Sequence, residues 1–223
     1  QPEFSVLMAY AKMALKDDLA QTSFAEGSWF STTLAEYFPT AMRERFRDAL
    51  EQHPLRAEII INSVVNSMVN RGGITFAYRA ADETGATSEQ VARAYAATRE
   101  IFDLRDFTDA VEALDAKVDT DVQSTLYLSF RRLLDRTTRW FVHHRHDQLD
   151  VAAEVERFSE RVTKLRSQLP EFLQGAELDR FNARTEEMRD AGVPEDLARQ
   201  YAGLLPSLSL LDVVQLADEV DCP

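Results

Sequence analysis

The side chains best suited to chemistry cluster between residues 139 and 146. His143, His144 and His146 lie there beside Arg139 and Arg145. Three histidines could bind a metal ion, but offsets of one and three residues are not a usual ligand spacing, and no His-Glu-x-x-His motif accompanies them. Because cations are favoured at a helix C-terminus by its dipole and free carbonyls, we interpret the cluster as a helix cap and solvated turn. An anion-binding or inter-domain docking patch is the alternative.

A row of amide side chains follows one face of a predicted helix. Asn62, Asn66 and Asn70 recur four residues apart behind Glu58, and Arg71 comes directly after them. Asparagine is a poor helix former, because its side chain competes for backbone hydrogen bonds. We hypothesise that Asn62, Asn66, Asn70 and Arg71 dock on the backbone of a neighbouring domain. A stripe that merely faces solvent is the alternative.

No pattern in the chain indicates a catalytic centre. Gly72-Gly73 follows a helix rather than a strand, so it predicts a helix cap and not a dinucleotide-binding turn. Lys12 on an apolar helix is more typical of a side chain with a wet tip than of a catalytic lysine. No Ser/His/Asp or Cys/His arrangement can be assembled. We therefore predict that the chain contributes no catalytic, cofactor-binding or metal-binding residue.

The composition describes an acidic globular protein. Of 223 residues, 45% are hydrophobic and 28% are charged, the net charge is -13, and Cys222 is the single cysteine. This acidity makes nucleic acids and anionic membranes poor partners. A lone cysteine fits a reducing compartment, and no apolar run approaches the ~20 residues of a membrane span. We expect a soluble, cytoplasmic protein, and the start at Gln1 without a methionine suggests an excised segment or a processed chain.

Apolar residues recur at helical spacing, and the few glycines and prolines fall between the resulting stripes. No segment alternates like a strand, so the sequence predicts an all-α multi-helix bundle without a sheet. The predicted helices are Pro2 to Leu19, Trp29 to Phe38, Ala41 to Gln52, Ala57 to Asn70, Thr75 to Glu83, Thr87 to Phe102, Thr120 to Trp140, Val151 to Leu169, Glu177 to Ala191, Pro194 to Leu205, and a last one from Ser209.

Local signals refine this arrangement. Thr87 and Thr120 each begin a Thr-x-x-Gln sequence, which predicts a capping box. The stripes of 122–140 and 151–169 are joined by a short polar turn, which predicts a long antiparallel helical hairpin. We expect residues 1–223 to form one helical domain, with two lobes, 1–118 and 119–223, as a finer division.

Several segments together resemble a known family. Residues 2–12 (PEFSVLMAYAK) are similar to the "RPELAVLLAYAK" segment of the large bacterial NAD-dependent glutamate dehydrogenases. Residues 37–39 (YFP) match that family, and 58–60 with 69–76 (VNRGGITF) resemble its "REIIAT…VNRGGITF". The resemblance is dense over residues 2–145 and looser beyond, and Gln1 stands where the family usually has arginine.

The resemblance implies a role for the chain. Enzymes of this family deaminate L-glutamate oxidatively to 2-oxoglutarate and ammonia with NAD, and a homo-oligomeric parent is implied. Their catalytic lysines, aspartate and nucleotide-binding glycines lie upstream of this helical C-terminal region, so none is carried over. The chain is then expected to bind no NAD itself and to support or regulate the upstream catalytic domain. The alternatives are an independent helical interaction module and a free-standing enzyme.

Overall fold

The computed structural model describes residues 2–145 and 149–220, and these residues form helices and connecting turns without a strand. The prediction of an all-α fold is confirmed. Short 3-10 helices cover Phe24–Glu26, Ser28–Phe30 and Pro206–Leu208. The α-helices in the described part are α1 (Pro2–Ala20), α2 (Ser31–Glu36), α3 (Thr40–Arg45), α4 (Arg47–Glu51), α5 (Arg56–Gly72), α6 (Phe76–Thr84), α7 (Ser88–Ile101), α8 (Leu104–Glu112), α9 (Thr120–His144), α10 (Val151–Ser167), α11 (Leu169–Phe172), α12 (Ala176–Asp190), α13 (Glu195–Gly203) and α14 (Ser209–Glu219).

Two predicted helices are interrupted. The helix expected over 29–38 reduces to α2 after a 3-10 turn, and the helix expected over 41–52 breaks into α3 and α4 at Phe46. Phe46 has φ −127° and ψ 28°, outside the helical region, so α3 and α4 do not run on as one helix, although the Phe46 N–H still donates to the Met42 carbonyl at 2.9 Å. Helix α8 was not predicted, because its apolar residues follow α7 without a proline or glycine to separate the two.

One of the two capping boxes forms. The backbone N–H of Gln90 donates to Thr87 Oγ1 at 3.2 Å, and the Thr87 N–H donates to Gln90 Oε1 at 2.8 Å, which satisfies two free helix donors reciprocally. The prediction of a capping box at Thr120 is wrong. Gln123 Nε2 instead donates to the Val111 carbonyl at 3.1 Å, which ties the first turn of α9 to α8.

The chain divides into two compact units, each built from two segments. The first contains residues 1–96 and 138–152. Helix α5 is its central element and packs against α1, α2, α6 and the 3-10 helix Phe24–Glu26. Ile60, Val65 and Met68 on α5 are fully buried. The Arg56 guanidinium donates to the Ala25 and Gly27 carbonyls, which fixes the chain before α2 onto the first turn of α5.

The second unit contains residues 97–137 and 153–223. Helices α12 and α13 form its tightest helix pair. The rings of Phe107 and Phe130 stack with centroids 6.1 Å apart, and this contact joins α8 to α9. Asp218 on α14 accepts hydrogen bonds from Arg157 Nε at 2.5 Å and from the Arg161 guanidinium, both on α10.

Both arms of the expected hairpin are helices, α9 and α10. Their antiparallel pairing stays a prediction, as do separate lobes at 1–118 and 119–223, since the two compact units are each assembled from discontinuous segments. Within the described ranges, no helix combines the length and apolarity needed to cross a membrane.

Candidate docking surface

The asparagine row lies on the solvent-accessible edge of α5. Asn62 and Asn66 are half-buried, and Asn70 is exposed. In the described part of the chain, the side chains of these three asparagines form no hydrogen bond. Each amide carries two donors and an acceptor oxygen, so the row offers unused hydrogen-bonding groups to whatever covers it.

The remaining faces of α5 explain why the row is held in place. Apolar side chains from Ile59 to Val69 are buried on three sides, and Ser67 Oγ lies 2.7 Å from the hydroxyl of the buried Tyr95. The row is therefore fixed by a packed helix and does not lie on a loop. Arg71 continues it, is half-buried, and interacts with its own surroundings.

The glycine pair after this row has a structural purpose. Gly72 is the last residue of α5, and its Cα faces the buried ring of Phe76. Gly73 caps the helix with φ 99° and ψ 163°, a conformation that is essentially restricted to glycine. The predicted helix cap is confirmed, and both glycines serve the turn from α5 into α6.

The histidine cluster sits on the last turn of α9. His144 Nδ1 donates to the Trp140 carbonyl at 2.8 Å, and its ring stacks on Trp140 at 4.1 Å. Arg145 Nη1 donates to the His144 carbonyl at 2.9 Å. These hydrogen bonds to carbonyls at the end of α9 are the contacts expected of side chains that cap a helix C-terminus. His143 is exposed, and His146 lies outside the described residues. Within the described residues, no group of three or more His, Cys, Asp and Glu side chains could hold a metal ion.

Arg139, on the same helix, holds Glu83 from α6. Its Nε donates to Glu83 Oε2 at 2.7 Å. This hydrogen bond is the largest of the effects that lower the pKa of Glu83. Arg139 is thus committed to a structural ion pair, which removes it from the anion-binding alternative considered for the cluster.

A cavity of about 480 Å³ lies in the second unit. Arg166 from α10 lines it, together with Arg199 from α13 and the carboxylates of Asp103, Asp106 and Asp196. Arg166 Nη1 donates to the Phe102 carbonyl at 2.8 Å, and Asp103 lies 4.0 Å from the same nitrogen.

Burial dominates the electrostatics of this pair. It lowers the pKa of Arg166, and the nearby Asp103 carboxylate opposes that change. It also raises the pKa of Asp103, while Arg166 lowers it. Asp103 has φ 49° and ψ 42°, a left-handed conformation that aspartate tolerates better than most residues. This cavity could not be predicted from sequence patterns, because its lining comes from four separated segments.

Sequence reasoning also missed an exposed apolar stripe on α1. Val6, Leu7, Tyr10 and Met13 all point away from the side on which Leu15 and Leu19 are buried. The signal was available in the sequence, since α1 has apolar residues on opposite sides of the helical wheel rather than on one side.

Residues 1–223 match the family model described as "Glutamate dehydrogenase, C-terminal". The NAD-specific glutamate dehydrogenase of Pseudomonas aeruginosa is 37% identical over 216 residues, which is 97% of this chain and 13% of that protein. The enzymes of the same description from Mycobacterium tuberculosis and Halomonas elongata are 36% and 35% identical, over 96% and 99% of this chain and 13% and 14% of their own length. The chain thus spans a small fraction of the relatives that it matches.

Proposed function

Because this chain belongs to the family of glutamate dehydrogenase C-terminal regions, we propose that it is a non-catalytic helical region that supports or regulates the catalytic domain of such an enzyme. The whole polypeptide would deaminate L-glutamate oxidatively to 2-oxoglutarate and ammonia with NAD as the acceptor, as a homo-oligomer. We also place it in the cytoplasm, since a single cysteine leaves no disulfide to form within the chain.

The observation that carries the proposal is the asparagine row. Asn62 and Asn66 sit half-buried on a rigid central helix, where each lowers helix propensity by roughly 0.7 kcal/mol relative to alanine. Their amides have no partner in the described part of the chain. An upstream domain that offers backbone N–H and C=O groups would satisfy them and would gain about 1 kcal/mol per hydrogen bond.

Docking of this kind can act on turnover without contributing a catalytic group. If the docked arrangement holds the catalytic cleft in its competent geometry, the binding free energy of the row becomes a coupling free energy between the two regions. Two hydrogen bonds amount to about 2 kcal/mol, which is roughly thirtyfold in the docked population.

The test is the double substitution Asn62→Ala/Asn66→Ala in the full-length enzyme. The matched control is Asn182→Ala, which removes an exposed asparagine from the interior of α12. All these changes favour the helix locally, so a difference between them reports docking. We expect the double variant to lower kcat/KM for glutamate several-fold, or to lower the unfolding temperature of the enzyme, while the control leaves both unchanged. Equal turnover and stability in both variants would mean that the row simply faces water.

A further inference from the structure

Helix α1 presents an apolar stripe on each of two opposite sides. On one side, Leu15 and Leu19 are fully buried, and α1 packs there against α5. The other side carries Val6, Leu7, Tyr10 and Met13, with exposed fractions of 55, 57, 69 and 59%. The spacing of three and four residues places these four side chains on one continuous face.

A surface helix of a globular protein normally has one apolar stripe and one polar face. A helix that is apolar on both sides is typical of a buried position. The four exposed side chains present on the order of 500 Å² of surface, comparable with the largest apolar patch of an ordinary monomer, and such patches often mark interaction sites. Single exposed apolar residues are common, but a stripe at helical spacing is not scattered exposure.

We propose that the α1 stripe, defined as Val6, Leu7, Tyr10 and Met13, packs into an apolar groove on the polypeptide that precedes this region in the full-length enzyme. The inference rests on the proposed function, and it identifies which surface makes the intramolecular contact. Anchors at positions i, i+3 or i+4, and i+7 are the pattern by which an amphipathic helix lies in a groove.

Two observations favour this occupant over a second copy of the same region. First, the chain covers only 13 to 14% of its relatives, and the family model describes it as the C-terminal part. In a full-length enzyme of this family, α1 would be the helix of this region nearest in sequence to the preceding polypeptide, so tethering would raise the effective concentration of that partner. Second, a net charge of -13 opposes close approach of two identical regions.

The experiment replaces Tyr10 with the photo-crosslinking residue p-benzoylphenylalanine in the full-length enzyme. The control places the same residue at Leu128 on α9, which is 52% exposed. After irradiation, we expect position 10 to give a product of unchanged chain mass on a denaturing gel. Peptide mapping of this product should show a cross-link between α1 and the preceding polypeptide, whereas position 128 should give no such cross-link.

Two results would overturn the proposal. A product of doubled mass from position 10 would assign the stripe to a contact between copies, and labelling no greater than at position 128 would leave it facing solvent. As an independent measurement, Leu7→Glu/Met13→Glu should increase protease cleavage between α1 and the preceding polypeptide several-fold, whereas Leu128→Glu should not. Equal cleavage in the two variants would also count against the contact.

The outcome is separable from that of the proposed function. If position 10 cross-links within the chain while Asn62→Ala/Asn66→Ala leaves turnover unchanged, α1 docks but the asparagine row does not support catalysis. If the asparagine variant loses turnover and position 10 fails to cross-link, the supporting role stands and a surface other than α1 makes the contact.

Discussion

Replacing Gly72 with alanine probes the turn that joins α5 to α6. A Cβ at this position would lie 2.6 Å from Phe76 Cγ and 2.9 Å from Phe76 Cδ1. The ring of Phe76 is buried and meets Tyr95 edge-on at 6.0 Å between centroids. Because Tyr95 is itself buried, the Phe76 ring cannot move away from the new methyl group without repacking the core of the first unit.

Two opposing terms set the magnitude. Alanine is favoured over glycine within a helix by up to about 1 kcal/mol. Forcing an extra carbon into a packed core costs about 1–3 kcal/mol, and the contact at 2.6 Å is closer than side chains normally tolerate. We therefore expect Gly72→Ala to lower the free energy of unfolding by about 1–2 kcal/mol, which for a chain of this size is a fall of roughly 2–8 °C in Tm.

The assay is urea and thermal unfolding of Gly72→Ala beside Gly203→Ala. Gly203 is also helical, but a Cβ there would meet the tip of the Leu169 side chain, Cδ2, at 3.2 Å and Phe181 Cε2 at 3.7 Å, which is ordinary van der Waals contact. This control should be close to neutral. In a double-mutant cycle, Phe76→Ala should remove most of the penalty at Gly72, since it deletes Cγ and Cδ1, the two atoms nearest to the new methyl group. A Gly72→Ala protein as stable as the parent, or a penalty that persists when Phe76 is alanine, would refute the reasoning.

Three further changes test other parts of the structure. Asp218→Asn should make the protein lose less stability in acid, because the hydrogen bond from Arg161 lowers the pKa of Asp218 in the folded state. The stability that this carboxylate contributes is present above its unfolded pKa, near 3.9, and is lost as pH falls through the folded pKa, so a pH series of Tm values for the two proteins measures the difference. Tyr95→Phe should cost about 1 kcal/mol in urea unfolding, since it deletes the 2.7 Å hydrogen bond with Ser67, and an unchanged midpoint would contradict this. Asp103→Asn should become more stable relative to the parent as pH rises above the unfolded pKa, near 3.9, because burial raises the pKa of Asp103 in the folded state and the parent therefore loses stability as pH rises through the folded pKa; a parallel pH dependence of the two proteins would contradict this.

Sequence reasoning succeeded where one local rule acts alone. The capping box at Thr87, the helix over 57–70 and its glycine cap all follow from short-range chemistry, and each is present in the structure. It failed where tertiary contacts override local preference. Gln123 has the side chain for a capping box at Thr120 but bonds to Val111, and Phe46 interrupts a helix that contains no proline or glycine.

The candidate surfaces likewise differ in whether they could be predicted from the sequence. The asparagine row could be found because a period of four residues places Asn62, Asn66 and Asn70 on one edge of any helix. Which of the two apolar stripes of α1 faces the core could not be found, since both have helical spacing and the choice depends on α5. The cavity beside Arg166 could not be predicted from the sequence, because Asp103 and Arg199 come to line one cavity only after four segments of the second unit have packed.

Both proposed contact surfaces are unfavourable for an isolated helical region. The α1 stripe leaves Tyr10 and its neighbours in water, and the asparagine row places poor helix formers on the central helix of the first unit. Departures from local consistency of this kind are expected where a surface serves a contact outside the folded unit. The two surfaces would also contribute differently to the contact. An apolar stripe supplies most of the free energy of association, while amides that need backbone partners fix its register, because burying them without hydrogen bonds is costly. If both surfaces meet the preceding polypeptide, charged substitutions on the stripe should weaken docking most. Substitutions in the row should weaken docking only by the share that their hydrogen bonds supply, and should change the turnover that depends on its geometry.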